Sequence, residues 1–192
     1  MQKLILGTVQ LGKKYSKFTK DKVEFNEVKQ ILNHCVNNNI LTFDTAQNYG
    51  NSEQLLSNIS NKNETIIMTK IHFIDNDIDT MQEQINKSLI NLNLKSIDIL
   101  MLHDYKQFKD DILVANLINI KNKGFIKKIG VSVYNVNETI DVLKSQHFTI
   151  LQIPFNYLDR QWDNIDFLNL INRRKDVEIH IRSIFLQGIL LN

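Results

Sequence analysis

Four residues in this sequence could do chemistry together. Asp44 stands at the end of the apolar run ILTFDT, and Tyr49 follows in the same loop. Lys70 stands near the end of TIIMTKI, and His103 ends IDILMLH. A phenol is a poor acid near neutrality, since its reference pKa is about 10. A neighbouring ammonium stabilises the phenolate and lowers that value. A carboxylate would hold the ammonium charged and oriented, and an imidazole can donate a hydrogen bond that aligns a carbonyl oxygen. A carbonyl that receives a hydride needs a proton donor within hydrogen-bond reach, and these four residues supply one with its supports. Singly, each has a plainer reading: Asp44 as a turn cap, Lys70 as a snorkelling side chain, His103 as a satisfied core histidine. Three successive strand ends carrying such groups argue for a shared site.

The elements that must position them follow from hydrophobic periodicity. Short apolar runs predict strands at 4–9, 40–45, 65–71, 97–103, 125–132, 150–153 and 178–184. Amphipathic patterns predict helices near 26–38, 52–60, 78–93, 110–123, 136–146 and 163–174. The clearest is 78–93, with Met81, Ile85, Leu89 and Leu92 on one face. Alternating strands and helices, with strands apolar along their length, imply parallel strands covered by helices. A doubly wound nucleotide fold would place G-x-G-x-x-G after the first strand, and none is present. GTVQLGKK (residues 7–14) imitates a phosphate loop, but Lys14 occupies the position of the required hydroxyl and the residues after it do not open a helix. The expected fold is therefore α/β, a parallel (β/α)8 TIM-barrel type cut off after about seven strands, in which Asp44, Lys70 and His103 converge on the C-terminal face.

Composition sets the outer limits. The 192 residues read as one domain, 1–192, with no linker or low-complexity tract. A formal net charge of +2 with scattered lysines gives no basis for a nucleic-acid partner, and no apolar run is long enough to span a membrane. The single cysteine, Cys35, lies in a helical pattern and reads as a buried thiol; a cytoplasmic location is expected. His72 has no companions at metal-ligand spacing, so no metal is expected. Trp162 reads either as lining the mouth of the site or as a surface-helix anchor, and Glu53 as capping or charging the helix after the Asp44 loop.

FDTAQNYGNSE (43–53), MTK (68–70), LMLHD (100–104) and GVSVYN (130–135) together resemble the aldo-keto reductases, and the likeness runs along essentially the whole chain. The resemblance implies NADPH-dependent (or NADH-dependent) reduction of a small aldehyde or ketone. It makes Tyr49 the acid, Lys70 and Asp44 its tuning pair, and His103 the group that orients the substrate. It also implies cofactor contacts at Gly7 and Thr8, at Asp44, at Ser132 and Gln152 on the carboxamide, and at Arg182 and Ser183 on the seventh strand. The family often follows the fifth strand with Ser-Asn where this chain has Ser132-Val133, and often has an aromatic residue where this chain has Arg182. The given sequence ends with HIRSIFLQGILLN (180–192), before an eighth strand, so weak cofactor binding and self-association through open barrel edges are expected. The alternative is a non-catalytic remnant or interaction module of the same descent.

Overall fold

A computed structural model of the chain describes residues 4–14 and 23–191. The elements run β1 (Leu6–Gly7), α1 (Val9–Gly12), α2 (Phe25–Asn37), β2 (Thr42–Asp44), α3 (Ser52–Leu56), a 3-10 turn (Lys62–Glu64) and β3 (Ile66–Ile71). They continue with α4 (Ile78–Leu92), β4 (Ile97–Leu102), α5 (Tyr105–Phe108), α6 (Asp111–Asn122), β5 (Ile126–Ser132) and α7 (Val136–Leu143). The last are β6 (Ile150–Pro154), α8 (Ile165–Arg173), β7 (Glu178–Arg182) and a second 3-10 segment (Leu186–Leu191). All seven strands are parallel and lie in chain order in one sheet. The sheet curls as an incomplete barrel, the architecture expected from the alternating pattern.

Local chemistry sets the element ends. Asp77 opens α4 by accepting from the N–H groups of Asp79 and Thr80 at 3.1 and 3.0 Å, and Asn93 ends it at φ 51°. Its predicted face is buried as expected: Met81, Ile85, Leu89 and Leu92 pack inward. Three elements depart from the sequence expectation. The first strand is much shorter than 4–9, because Thr8 turns its N–H and hydroxyl onto Asp44 O, both at 2.9 Å, and the chain then winds into α1. Helix α3 ends at Leu56 rather than 60. A short helix, α5, precedes α6, started by Asp104 accepting from Lys106 N–H at 2.9 Å.

Strand residues alternate between two cores. Ile71, Leu100, Leu102, Ile129, Val131, Leu151 and Ile153 face the helices, and Trp162 joins them, edge-to-face with Phe167 at 5.6 Å. Trp162 is thus a buried helix anchor and does not line the mouth. Cys35 is buried between α2 and the sheet, and burial pushes its thiol up, as a structural role requires. On the opposite face Met68, Ile99, Met101 and Ile150 form a small separate core inside the curl. Gly130 permits this packing, since a Cβ there would lie 2.5 Å from Ile150 O. The next residues along each strand beyond this layer are the polar ones. Among the described residues β1 and β7 pair on one side only, and beside them Leu4, Ile181 and Phe185 are exposed.

Candidate functional site

Asp44 is the hub. Lys70 Nζ, on the neighbouring strand, is ion-paired to Asp44 Oδ1, and Gln152 Nε2 donates to Oδ2 at 2.8 Å. Lys70 is only 2% exposed. Burial pulls its ammonium below the ordinary lysine range, the Asp44 carboxylate pulls the other way, and the Arg182 charge adds to the lowering.

Tyr49 comes from the loop between β2 and α3, which is pinned at several points. Gln47 N–H donates to Lys70 O at 3.1 Å, and the Gln47 side chain donates to Gln84 O and to Ser88 Oγ. Ser52 Oγ accepts from Thr45 at 3.0 Å and donates toward Thr8 Oγ1 at 2.6 Å. Two glycines bring α1 against the loop: a Cβ on Gly12 would lie 1.8 Å from Tyr49 O, and one on Gly50 (φ 64°) 2.3 Å from Gly12 O. The phenol ring so held has Lys70 Nζ 5.4 Å and Lys13 Nζ 5.5 Å from its centre. The His103 ring meets it edge-on at 6.1 Å. Burial, reinforced by Lys70, pushes His103 down to about 4, so the imidazole is neutral at physiological pH and carries one N–H to donate.

The structure thus brings Asp44, Tyr49, Lys70 and His103 to one mouth. Ser132 is buried on β5, in register with Gln152 on β6. Gln152 Oε1 is buried with no donor among the described residues. A buried acceptor left unpaired costs about 1–3 kcal/mol, so it marks a place where a ligand N–H would be welcome, and the amide of a nicotinamide fits that need. His180, in register with Gln152 on β7, has an unpartnered buried Nδ1 as well, and burial lowers its pKa. Gly7 is exposed, whereas Thr8 is fully buried: its N–H, C=O and hydroxyl are all engaged within the fold. Arg182 ends β7 with its guanidinium 4.4 Å from the centre of the Tyr134 ring, and Ser183 beside it takes φ 62°.

Several participants are not evident from the sequence. Lys13, the lysine of the apparent phosphate loop, instead donates to Asn48 O at 2.7 Å above Tyr49. Residues 15–18, which also bear on that motif, lie outside the described residues. Glu53 does more than charge a helix turn. It is 2% exposed, accepting from Thr69 and Ser88 at 2.7 and 2.8 Å and from Asn91 at 3.0 Å, and so ties α3 to β3 and α4. His72 is exposed, and among the described residues no His, Cys, Asp and Glu cluster could hold a metal.

The curled, incomplete parallel barrel thus carries an acidic–basic pair and a phenol at the C-terminal rim, the face where barrels of this type place their functional groups. The sequence pattern of the Aldo/keto reductase family matches residues 3–192, and this chain belongs to that family. It is 31% identical over 149 residues to D-arabinose 1-dehydrogenase of Saccharomyces cerevisiae, covering 70% of this chain and 43% of that protein. Its fold superposes on the holo form of the aldo-keto reductase AKR11C1 from Bacillus halodurans with a TM-score of 0.80 at 21% identity, covering 97% of this chain and 63% of that one. The glycerol dehydrogenase AKR11B4 from Gluconobacter oxydans gives 0.74 at 20% identity, covering 97% and 61%. The chain therefore spans less than two thirds of the length of each of these relatives. Among the described residues no helix is long and apolar enough to cross a membrane.

Proposed function

We propose that this chain reduces an aldehyde or ketone with NADPH or NADH, using Tyr49 as the proton donor. The observation that carries the reading is the Asp44–Lys70 ion pair set beside the Tyr49 ring, with neutral His103 across from it. The bound cofactor would supply the hydride. As charge develops on the substrate oxygen, Tyr49 gives it a proton, and the Lys70 ammonium stabilises the phenolate left behind. The N–H of His103 donates to the same oxygen and fixes its direction. Asp44 keeps Lys70 oriented, and through Gln152 it links the proton-donating side of the site to the side where a carboxamide would lie. Ser132 and the free oxygen of Gln152 would hold that carboxamide, with Gly7 leaving room at the first strand.

The test is NADPH consumption with a panel of small aldehydes and ketones. Tyr49→Phe should lower turnover by about 10²- to 10⁴-fold, the usual worth of a positioned acid, while cofactor affinity persists. Equal activity in the wild type and the variant would end the assignment. A second reading, a non-catalytic module, draws on the open sheet edge with exposed Ile181 and Phe185. It would stand if the wild type turned over no carbonyl in the panel.

A further inference from the structure

Resting on the reductase reading, we propose that Arg182, braced by Tyr134, is an anion-binding arm of the site, and that the carbonyl compound reduced here carries a carboxylate or phosphate group. Arg182 is the last residue of β7, on the same rim as Lys70 and His103, and its charge acts on both. Its bonds within the fold are few: Nη2 donates to Val133 O at 3.2 Å, and Nη1 makes a long contact of 3.4 Å to Ser183 Oγ. Tyr134 covers one face of the guanidinium and limits its motion. Among the described residues no carboxylate pairs with it.

Arg174 shows what a structural arginine looks like in the same chain. It is paired with Asp176 through Nε and Nη2 at 2.9 and 2.8 Å, and it donates to Ser145 O at 2.7 Å. Arg182 is placed and oriented but left without a counter-ion. The acidic residues of the adjoining loops are already committed. Asp104 accepts from Lys106 N–H, Glu138 accepts from Tyr134 N–H at 2.7 Å, and Asp44 is neutralised by Lys70. Lys13, beside Tyr49, adds a second cation, and among the described residues its ammonium donates to a backbone carbonyl, Asn48 O, at 2.7 Å. A half-buried guanidinium with N–H groups left over among the described residues is suited to a planar, bidentate anion.

The same chemistry could instead serve a phosphate of the dinucleotide, so the test separates the two sources. The kcat/KM ratio of succinic semialdehyde to butanal is measured for the wild type, Arg182→Gln and Arg182→Lys, alongside NADPH dissociation constants from fluorescence. Succinate binding, which needs no turnover, is followed by calorimetry. A charge-assisted contact is worth about 10- to 100-fold. The wild type should prefer the anionic aldehyde by that order, the ratio should fall to near one in Arg182→Gln, and Arg182→Lys should lie between. Succinate binding should weaken in parallel. An unchanged ratio with weakened NADPH binding assigns the arm to the cofactor and overturns the proposal, as does an unchanged ratio with unchanged NADPH binding. A chain that reduces neither aldehyde defeats the reductase reading; if it still binds succinate through Arg182 the anion site stands, and equal succinate binding in wild type and Arg182→Gln defeats the site as well.

Discussion

Replacing Gly12 with alanine should damage the site from outside it. The added Cβ would lie 1.8 Å from Tyr49 O and 2.8 Å from both Ser52 N and Ser52 Cβ. Two of those three atoms belong to the backbone, so no side-chain rotation can clear them. Restoring ordinary contact requires the Tyr49 carbonyl to retreat by about 1.5 Å, and the phenol moves with it. Overpacking of this kind costs about 3 kcal/mol at the upper end of the usual range, which for a chain of this size lowers Tm by about 6–12 °C. A displacement of about 1 Å in a catalytic group can cost about 100-fold in rate. Gly12→Ala should therefore lose both stability and kcat, read by thermal circular dichroism and steady-state kinetics with a saturating aldehyde. Gly50→Ala should repeat the effect from the other side of the contact, with added backbone strain at φ 64°. A Gly12→Ala protein with unchanged Tm and kcat would refute the idea that α1 sets the position of Tyr49.

Lys70→Met leaves the Asp44 carboxylate without its cation and should destabilise the fold by about 3–5 kcal/mol, whereas Lys70→Met combined with Asp44→Asn should recover much of it; denaturant melts of the three proteins check this. His103 holds its proton less tightly in the folded state, at about 4 against an ordinary 6.5, so folding releases protons as the solution is acidified. Its contribution to stability is intact above about pH 6.5 and lost as pH falls toward 4, an effect that solvent screening of this half-buried ring reduces to about 1–2 kcal/mol. The loss of stability over that interval should be shallower in His103→Gln, measured by urea titration at each pH. Among the described residues β1 and β7 pair on one side only, and we propose that this chain associates through those edges; sedimentation velocity would show concentration-dependent association, and a monomer at all concentrations would count against it.

How much of this was legible in the sequence depended on how local each signal was. The α4 face could be read from Met81, Ile85, Leu89 and Leu92 because helical spacing is a property of neighbouring residues. Asp44, Lys70 and His103 were legible because a polar residue ending an apolar strand interrupts a pattern. The brevity of β1 was not, since LILGTV is apolar throughout and only a contact with Asp44, far along the chain, turns it at Thr8. The same holds for Tyr134 on Arg182, for Lys13 above Tyr49, and for the three donors around Glu53. Each pair meets through the sheet's register or through a crossover, and no periodicity announces it. Trp162 was ambiguous because an apolar ring suits a core and a rim equally, and its packing on Phe167 resolved it.

The hydrogen bond from Gln152 to Asp44 joins residues 108 positions apart, whereas each strand pairs with its immediate predecessor in the chain. That contrast sets a timetable for a protein emerging from a ribosome. The sheet can lengthen one strand at a time as each new unit docks on the last, and Lys70 can meet Asp44 early. At about 5–20 residues per second, Gln152 follows Asp44 by about 5–20 s. For that interval the Asp44–Lys70 pair exists without the amide that ties it to the far side of the sheet. The scaffold is built progressively, and the cluster around Asp44 is finished as a late event.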